Sequence, residues 1–444
     1  MQAFFWCLFP ENLSLPKRLW IMELKYGIDD RPRLGQLLVY SLQWFVLAVA
    51  VIVTSIFIAQ GSAAEKVLYA QKVFAFMGVA TILQIFIGHR MPIISGPASV
   101  LLVGIITALA SQGDAINTNK IYTSLIIGGV AISLLSAGRL IEHMQKIFTP
   151  RIVVVIMMLI AYTLGPTIKN LIFPAAHPEG HSFGLWFALL GVPVMVVANS
   201  RLKGVLKSIV VPISLFVGCV IYYIVLGGFG EIFKGEFSSQ GSMFLPAMEF
   251  DWSMVIAFLI CYIALLINDI GSIQSTGALL QTPNMDRRCR RGVGLTGVLN
   301  IVAGSMGIIG PVNYTMSPGV IASSSCASRY ALLPASLGLI VCAFVPPIIA
   351  LLTAIPDTVI GVILLYLMGT QLAAAFSTLI SGNSVKTFDH ALTVGLPIMV
   401  SLVFGIIPMG VIPAVLRPII GNGFVMGVVT VILLEHVILR DRKS

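Results

Sequence analysis

Two short stretches carry the residue types that could handle a ligand. Ile94-Ser95-Gly96-Pro97-Ala98-Ser99 opens one apolar run, and Tyr314-Thr315-Met316-Ser317-Pro318-Gly319 opens another. Each puts Pro, Gly and hydroxyl residues where a spanning helix would otherwise continue. Pro and Gly break or start helices. Such a break can bind, because it leaves a helix N-terminus that attracts negative charge. Bare backbone at membrane depth is tolerated only where it lines a cavity or is buried in protein. Matching breaks in two halves of a chain point to the central site of a transporter.

A third stretch lies between them, Leu265-Leu266-Ile267-Asn268-Asp269-Ile270-Gly271-Ser272. Nearly all of the 18 Asp and Glu residues fall in loops or at helix ends, but Asp269 sits inside this apolar run. A carboxyl deep in a membrane is a candidate for coupling transport to an ion. Its other reading is a side chain that hydrogen-bonds helices together. Asn268, Gly271, Ser272 and Ser275 share one helical face, with Gln274 and Thr276 beside it. The stripe reads as a helix facing a wet cavity, or else as small-residue helix packing.

These residues need elements to hold them, and composition says which kind. Of 444 residues 57% are hydrophobic and 10% charged, whereas a soluble domain carries about 25% charged residues. The chain is therefore expected to be an all-α polytopic membrane protein. Its net charge of +9 is spread over short loops, so it reads as topology and not as a nucleic-acid surface. With a cytoplasmic N-terminus, only Lys66, Lys72, Lys120, Lys169, Lys234 and Arg417 fall on or near the far side. Both termini are then cytoplasmic. The basic loop 286–291 reads as a topology anchor. The six Cys residues have no metal spacing and read as reduced hydrophobic residues. Met1–Pro10 is apolar, but Lys17 and Arg18 follow it, the wrong order for a signal peptide; Met1 and Met22 are both candidate starts.

Counting about 20 residues per span gives about fourteen apolar segments. The first seven lie near 37–59, 69–88, 97–111, 122–141, 151–171, 182–198 and 205–228. The second seven lie near 252–276, 292–309, 317–327, 331–354, 357–381, 390–409 and 422–439. The third and tenth are too short to span and follow the two breaks. Seven plus seven makes the halves inverted repeats of one another.

The chain resembles a family at several places in order. Gly27-Ile28-Asp29-Asp30-Arg31-Pro32, followed by Gln43, is similar to the opening of the xanthine/uracil permeases, the nucleobase/ascorbate transporter family. Ile94–Ser99, Ile267–Ser272, Asp286–Gly292, Tyr314–Gly319 and the run from Ile355-Pro356 to Gly361 resemble later family motifs. The resemblance implies fourteen segments in core and gate domains, with two short strands before half-helices three and ten. It assigns 1–36 to a cytoplasmic segment. It assigns 37–142 and 252–354 to the core domain, and 143–230 and 355–439 to the gate domain. It also implies elevator-type transport of a nucleobase such as uracil or xanthine, and a homodimer through the gate domain. The family's eighth-helix acid falls on Asn268 and the polar residue four positions later on Ser272. The tenth-segment signature reads Met316, Ser317, Pro318 and Gly319, and the common Gln-His pair reads Gln43-Trp44. The side chains that grip the base are thus changed.

The expected substrate residues are Ser99, Asn268, Ser272, Thr315, Met316 and Ser317, with Asp269 as the coupling acid. The coupling ion is H+, with Na+ as the alternative, and no cofactor or metal is expected. The partners are a small molecule and the lipid bilayer of the plasma membrane. Two other functions fit the same pattern: a small-anion transporter of this fold, like the sulfate permeases, and a non-transporting membrane sensor. An enzyme does not fit, since no Ser-His-Asp set, metal cluster or Gly-rich phosphate loop lies at depth. His177 and His181 read as residues of a solvated loop.

Overall fold

The computed structural model describes residues 24–59, 61–112, 117–138, 149–174, 181–202, 210–227, 242–245, 247–381 and 384–439. The N-terminal readings at Met1, Cys7 and Met22, and those at His143, His177 and Lys234, lie outside the described residues. The chain opens with α1 (Leu34–Val53), α2 (Ala63–Phe86), β1 (Ser95–Pro97), the short α3 (Ser99–Gln112) and α4 (Thr118–Ala137). α5 (Pro150–Thr163), α6 (Gly165–Ile172), α7 (His181–Arg201) and α8 (Val210–Leu226) follow. A second run of two long helices, a strand and a short helix follows. α9 (Trp252–Leu279) and α10 (Met285–Ser305) lead to β2 (Pro311–Asn313), the short α11 (Ser317–Ser324), α12 (Leu332–Ala343) and α13 (Pro346–Thr353). α14 (Asp357–Ser381), α15 (Phe388–Gly405), α16 (Arg417–Ile420) and α17 (Gly423–Leu433) close the chain, with a π-turn at Leu434–Ile438.

The local sequence sets the helix starts. Ser62 and Glu65 form a reciprocal capping box at α2, which satisfies two orphan N–H groups. Thr149 caps α5 through Ile152 N–H, with Pro150 in the first turn. Asp251 accepts from the N–H groups of Ser253 and Met254 at 3.0 and 3.2 Å and so caps α9. α9 has 28 residues, about 42 Å at about 1.5 Å per residue. That exceeds a bilayer core of about 30 Å.

Among the described residues, eight helices are long and apolar enough to cross a membrane. α7 and α8 turn Leu185, Trp186, Leu190, Phe216 and Ile224 outward, and an outward apolar face suits lipid. The chain is a multi-pass membrane protein. Two expected segments prove to be broken. The segment 331–354 divides into α12 and α13, because Pro346-Pro347 removes two N–H donors and restrains the residue before it. The segment 151–171 divides at Leu164, just ahead of Gly165-Pro166.

The two breaks in the chain find each other. β1 and β2 pair antiparallel, with Ser95 opposite Asn313, Gly96 opposite Val312 and Pro97 opposite Pro311. Ala98 N–H donates to Gly310 O at 3.0 Å and Tyr314 N–H to Ile94 O at 3.0 Å. Backbone that has left the helix therefore stays paired, as a low-dielectric interior requires. Around this pair the long helices pack on one another, and α9 also meets α16 and α17. α4 packs on α9 and α10, and α12 on α1 and α2. Separately, α14 packs on α5 to α8, and α15 on α5 and α17.

The contact of α4 with α10 is backbone against backbone. A Cβ on Gly297 would stand 2.4 Å from Ser133 Oγ and 2.8 Å from Ser133 N. One on Gly129 would stand 2.8 Å from Gly297 O. Small residues are what let membrane helices approach this closely. Gly297→Leu should therefore cost about 1–3 kcal/mol, read as a lowered thermal midpoint of the purified protein. Gly395→Ala, where an added Cβ meets nothing within 4 Å, should leave the midpoint unchanged.

Candidate functional site

The site grows from the strand pair outward. β1 runs into α3 and β2 into α11, so two helix N-termini start on either side of one small sheet. α9 packs against β2, α3 and α11, which brings the Asn268–Ser272 stretch to the same place. Each expected residue then takes a distinct position. Ser99 is half-buried as the first residue of α3, and Asn268 is half-buried on α9. Thr315 and Met316 are exposed on the turn that precedes α11. Ser317 is buried, and its Oγ accepts Ile94 N–H at 3.2 Å. It latches the strands together.

The polar stripe on α9 divides in two. Asn268 and Gln274 keep some exposure. Ser272, Ser275 and Thr276 are buried, and their hydroxyls donate to carbonyls of their own helix. Ser272 Oγ–H goes to Asn268 O at 2.8 Å. A hydroxyl spent in this way leaves Ser272 shaping the helix beneath the site. In α1, Gln43 and Trp44 are both buried.

Asp269 is fully buried and turned toward the sheet. Its Oδ1 accepts twice from one residue: from Asn313 N–H at 3.0 Å and from Asn313 Nδ2–H at 2.8 Å. The Asn313 Oδ1 accepts Ser95 Oγ–H at 2.9 Å from the opposite strand. Thr296 on α10 also faces the carboxyl, and its own Oγ1 accepts Gln84 Nε2–H at 2.9 Å. Asp269 Oδ2 has no hydrogen-bond partner among the described residues. His89 is fully buried in the turn before β1, and its Nδ1 accepts Met91 N–H at 3.0 Å. An accepting nitrogen makes this imidazole neutral, with its proton on Nε2.

Two supporting residues, Asn313 and Asn300, escaped the sequence reading. Asn313 is fully buried beside the expected Tyr314–Gly319 turn. Its signal was an amide in an apolar stretch at a break. Asn300 donates from Nδ2 to Pro311 O at 2.9 Å and accepts Tyr262 O–H at 3.0 Å, which fixes the other end of β2. Tyr314 O–H donates to Pro97 O at 2.8 Å, and the ring lies 2.5 Å from where a Gly96 Cβ would stand. Only glycine leaves room for that ring.

Two cavities lie apart from these residues. One of about 520 Å³ is apolar and sits among Phe45, Leu215, Cys219, Tyr223 and Leu352. The other, about 320 Å³, is lined by Glu65, Tyr69, Lys72, Asn119 and Tyr122. In it Lys72 Nζ donates to Ser242 O at 2.6 Å and Met306 O at 3.0 Å. Among the described residues no group of three His, Cys, Asp or Glu could hold a metal ion.

The arrangement offers the first N–H groups of α3, one side-chain amide and no free carboxylate, while at α11 the N–H groups of Ser317 and Gly319 turn onto Tyr314 O and Met316 O. Comparison with known proteins agrees with a carrier. The chain matches the model of the xanthine/uracil permeases, described as a permease family, over residues 35–414. It is 24% identical over 443 residues to a putative purine permease of Clostridium perfringens, covering 95% of each chain. It is 26% identical over 384 residues to a uric acid permease of Bacillus subtilis, covering 83% of this chain and 84% of that one. A xanthine permease of Escherichia coli is 24% identical, with 93% and 94% covered. Two solved structures share the fold. The transmembrane domain of a cyanobacterial bicarbonate transporter superposes with a TM-score of 0.55 at 16% identity, covering 81% of this chain and 97% of that chain. The murine Slc26a9 anion transporter, inward-facing, gives 0.61 at 13% identity, covering 96% and 73%.

The Tyr314 hydroxyl offers a direct check on the strand pair. Tyr314→Phe should lose about 0.5–1.5 kcal/mol in thermal unfolding with helix content unchanged. No loss at all would mean that the bond to Pro97 does not hold the pair.

Proposed function

The chain belongs to the xanthine/uracil permease family, and from that premise we propose that it is a secondary transporter of an oxidised purine such as xanthine or urate. The observation that carries this reading is the meeting of two helix N-termini beside Asn268, with Met316 uncharged at the start of α11. Purine carbonyl oxygens, and the negative charge of urate, suit two helix starts. The Asn268 amide offers one acceptor and two donors, which fit a ring edge that alternates N–H and C=O. The names of the purine, uric acid and xanthine relatives support the same substrate class.

Alternating access needs two bodies, and the packing of α4 on α9 and α10, and of α14 on α5 to α8, supports such a division. In this reading α1–α4 and α9–α13 form the core that carries the substrate, and the others form the gate. The segments number about fourteen, at about 20 residues each, in two inverted halves, with both termini in the cytoplasm. Movement of the core past the gate is the transport step. A homodimer through the gate would hold that body still. Asp269 is the coupling acid, H+ the ion, and Na+ the alternative.

A second reading has support from the same helix starts: a small-anion carrier. Two N-termini with no free acid between them would serve bicarbonate or sulfate. Asn268 favours the heterocycle, because its amide matches a ring edge with both N–H and C=O, whereas sulfate has no donor for its carbonyl oxygen.

A thermal-shift screen of the purified protein separates the two. A ligand at 100 times its dissociation constant adds about 2.7 kcal/mol. Xanthine or urate should raise the midpoint, and a rise with bicarbonate or sulfate alone would overturn the purine reading. Asn268→Ala should weaken purine binding by about 1–3 kcal/mol, which is about five- to 150-fold. Ser272→Ala should change it little. Met316→Glu should weaken urate more than xanthine, since it places a carboxylate beside an anionic ring.

A further inference from the structure

The Asp269 carboxyl does not point at the exposed turn, so it needs an intermediary to act on the substrate. We propose that Asn313 is that positioning residue: its side-chain amide reverses when Asp269 gains a proton, and the reversal resets the turn Tyr314–Met316. The proposal rests on the transport reading above and deepens it.

The geometry is a two-state element built on the two side-chain bonds of Asn313. In the state seen here, Asn313 Nδ2–H donates to Asp269 Oδ1, and Asn313 Oδ1 accepts from Ser95 Oγ–H. This orientation suits a carboxylate, which only accepts. A protonated carboxyl has an O–H to give. Rotation of the amide by half a turn presents Asn313 Oδ1 to that O–H and Nδ2–H to Ser95. A serine hydroxyl can accept as well as donate, so the Ser95 contact survives the exchange. The bonds of Asn313 to Asp269 and to Ser95 are remade in both states, and the proton passes only onto and off Asp269.

The backbone makes the amide matter. Asn313 N–H is held by the same Oδ1, and the next N–H, that of Tyr314, crosses to Ile94 O. Thr315 and Met316 follow at once as the exposed turn that opens α11. Bonds to an ionised acceptor are roughly twice as strong as neutral ones. Protonation therefore loosens the grip of Asp269 on the backbone two residues from the ligand. Ser95 carries the other half of the signal into β1, and its N–H and O are held by Thr81 on α2.

No neighbouring charge fixes the state of Asp269. From α10 it faces Thr296, and from β2 it faces Asn313. The neutral His89 lies against Asn313. Arg288 on α10 is directed to the carbonyls of His89 and Arg90. Arg417, on α16, which also packs on α9, gives its Nε–H to Ile412 O. Lys120 on α4 pairs with Asp251 at the far end of α9.

The test needs no ligand. Hydrogen exchange of the full chain is measured at acid and neutral pH, corrected for intrinsic chemistry, in the peptide covering 314–320. Infrared spectroscopy follows the carboxylic-acid band that Asp269→Asn removes, so protonation of Asp269 is read separately. Wild type should change its protection roughly fivefold between the two pH values, as losing charge assistance on one bond gives. Asp269→Asn, close in shape and unable to titrate, should show no such change. Asn313→Ala should keep the infrared band of Asp269 but lose the exchange response. If Asn313→Ala does not fold, Ser95→Ala serves, because it removes the acceptor for the reversed amide and should shrink the response. A wild-type turn equally protected at both pH values while the acid band appears would overturn the proposal. So would a full response that persists in Asn313→Ala or Ser95→Ala. Failure of xanthine and urate to bind would count against the transport reading alone.

Discussion

Backbone that leaves a helix inside a membrane must find hydrogen-bond partners within the protein, because lipid offers none. Ser95–Pro97 and Pro311–Asn313 meet that need with one another. Their pairing brings two positions far apart in the sequence to the same point and aims two helix starts there. Asn300 secures one end of β2 through Pro311 O, and Asp269 secures the other through Asn313. Gly96 and Tyr314 close the pair from the side. The long helices around it act as a frame that holds this one small sheet in place.

The chemistry of the site follows from which groups the sheet consumes. Asp269 spends Oδ1 on Asn313, and Ser317 spends its hydroxyl on Ile94. Ser272 turns its hydroxyl onto α9. What is left facing outward is Asn268, Thr315, Met316 and the first N–H groups of α3. A neutral surface at two positive helix ends suits an electron-rich or anionic ring. The acid therefore works behind the site, and the proposed reversal of the Asn313 amide would let it do so without touching the substrate.

Much of the scaffold was legible in the sequence, because Pro, Gly and apolar run length act locally. The breaks at Ser95-Gly96-Pro97 and before Pro318 fell where the strands and half-helices are. α14 begins at Asp357 and ends at Ser381, as the apolar run 357–381 implied. The run 331–354 read as one segment because apolarity alone does not register the loss of two donors at Pro346-Pro347. Side-chain direction was harder to read. The α9 stripe has the same spacing whether its hydroxyls face water or their own carbonyls, so Ser272 and Asn268 looked alike. Asn313 was missed because its partners lie far along the chain: Asp269 is 44 residues away and Ser95 is 218.

A structure of the chain with xanthine or urate bound tests the central claim most directly. The ring should lie between the starts of α3 and α11, within hydrogen-bond distance of backbone N–H groups near Ser99 and Met316 and of the Asn268 amide. A ring found instead in the apolar cavity beside Cys219, or in the polar one around Lys72, would contradict the account.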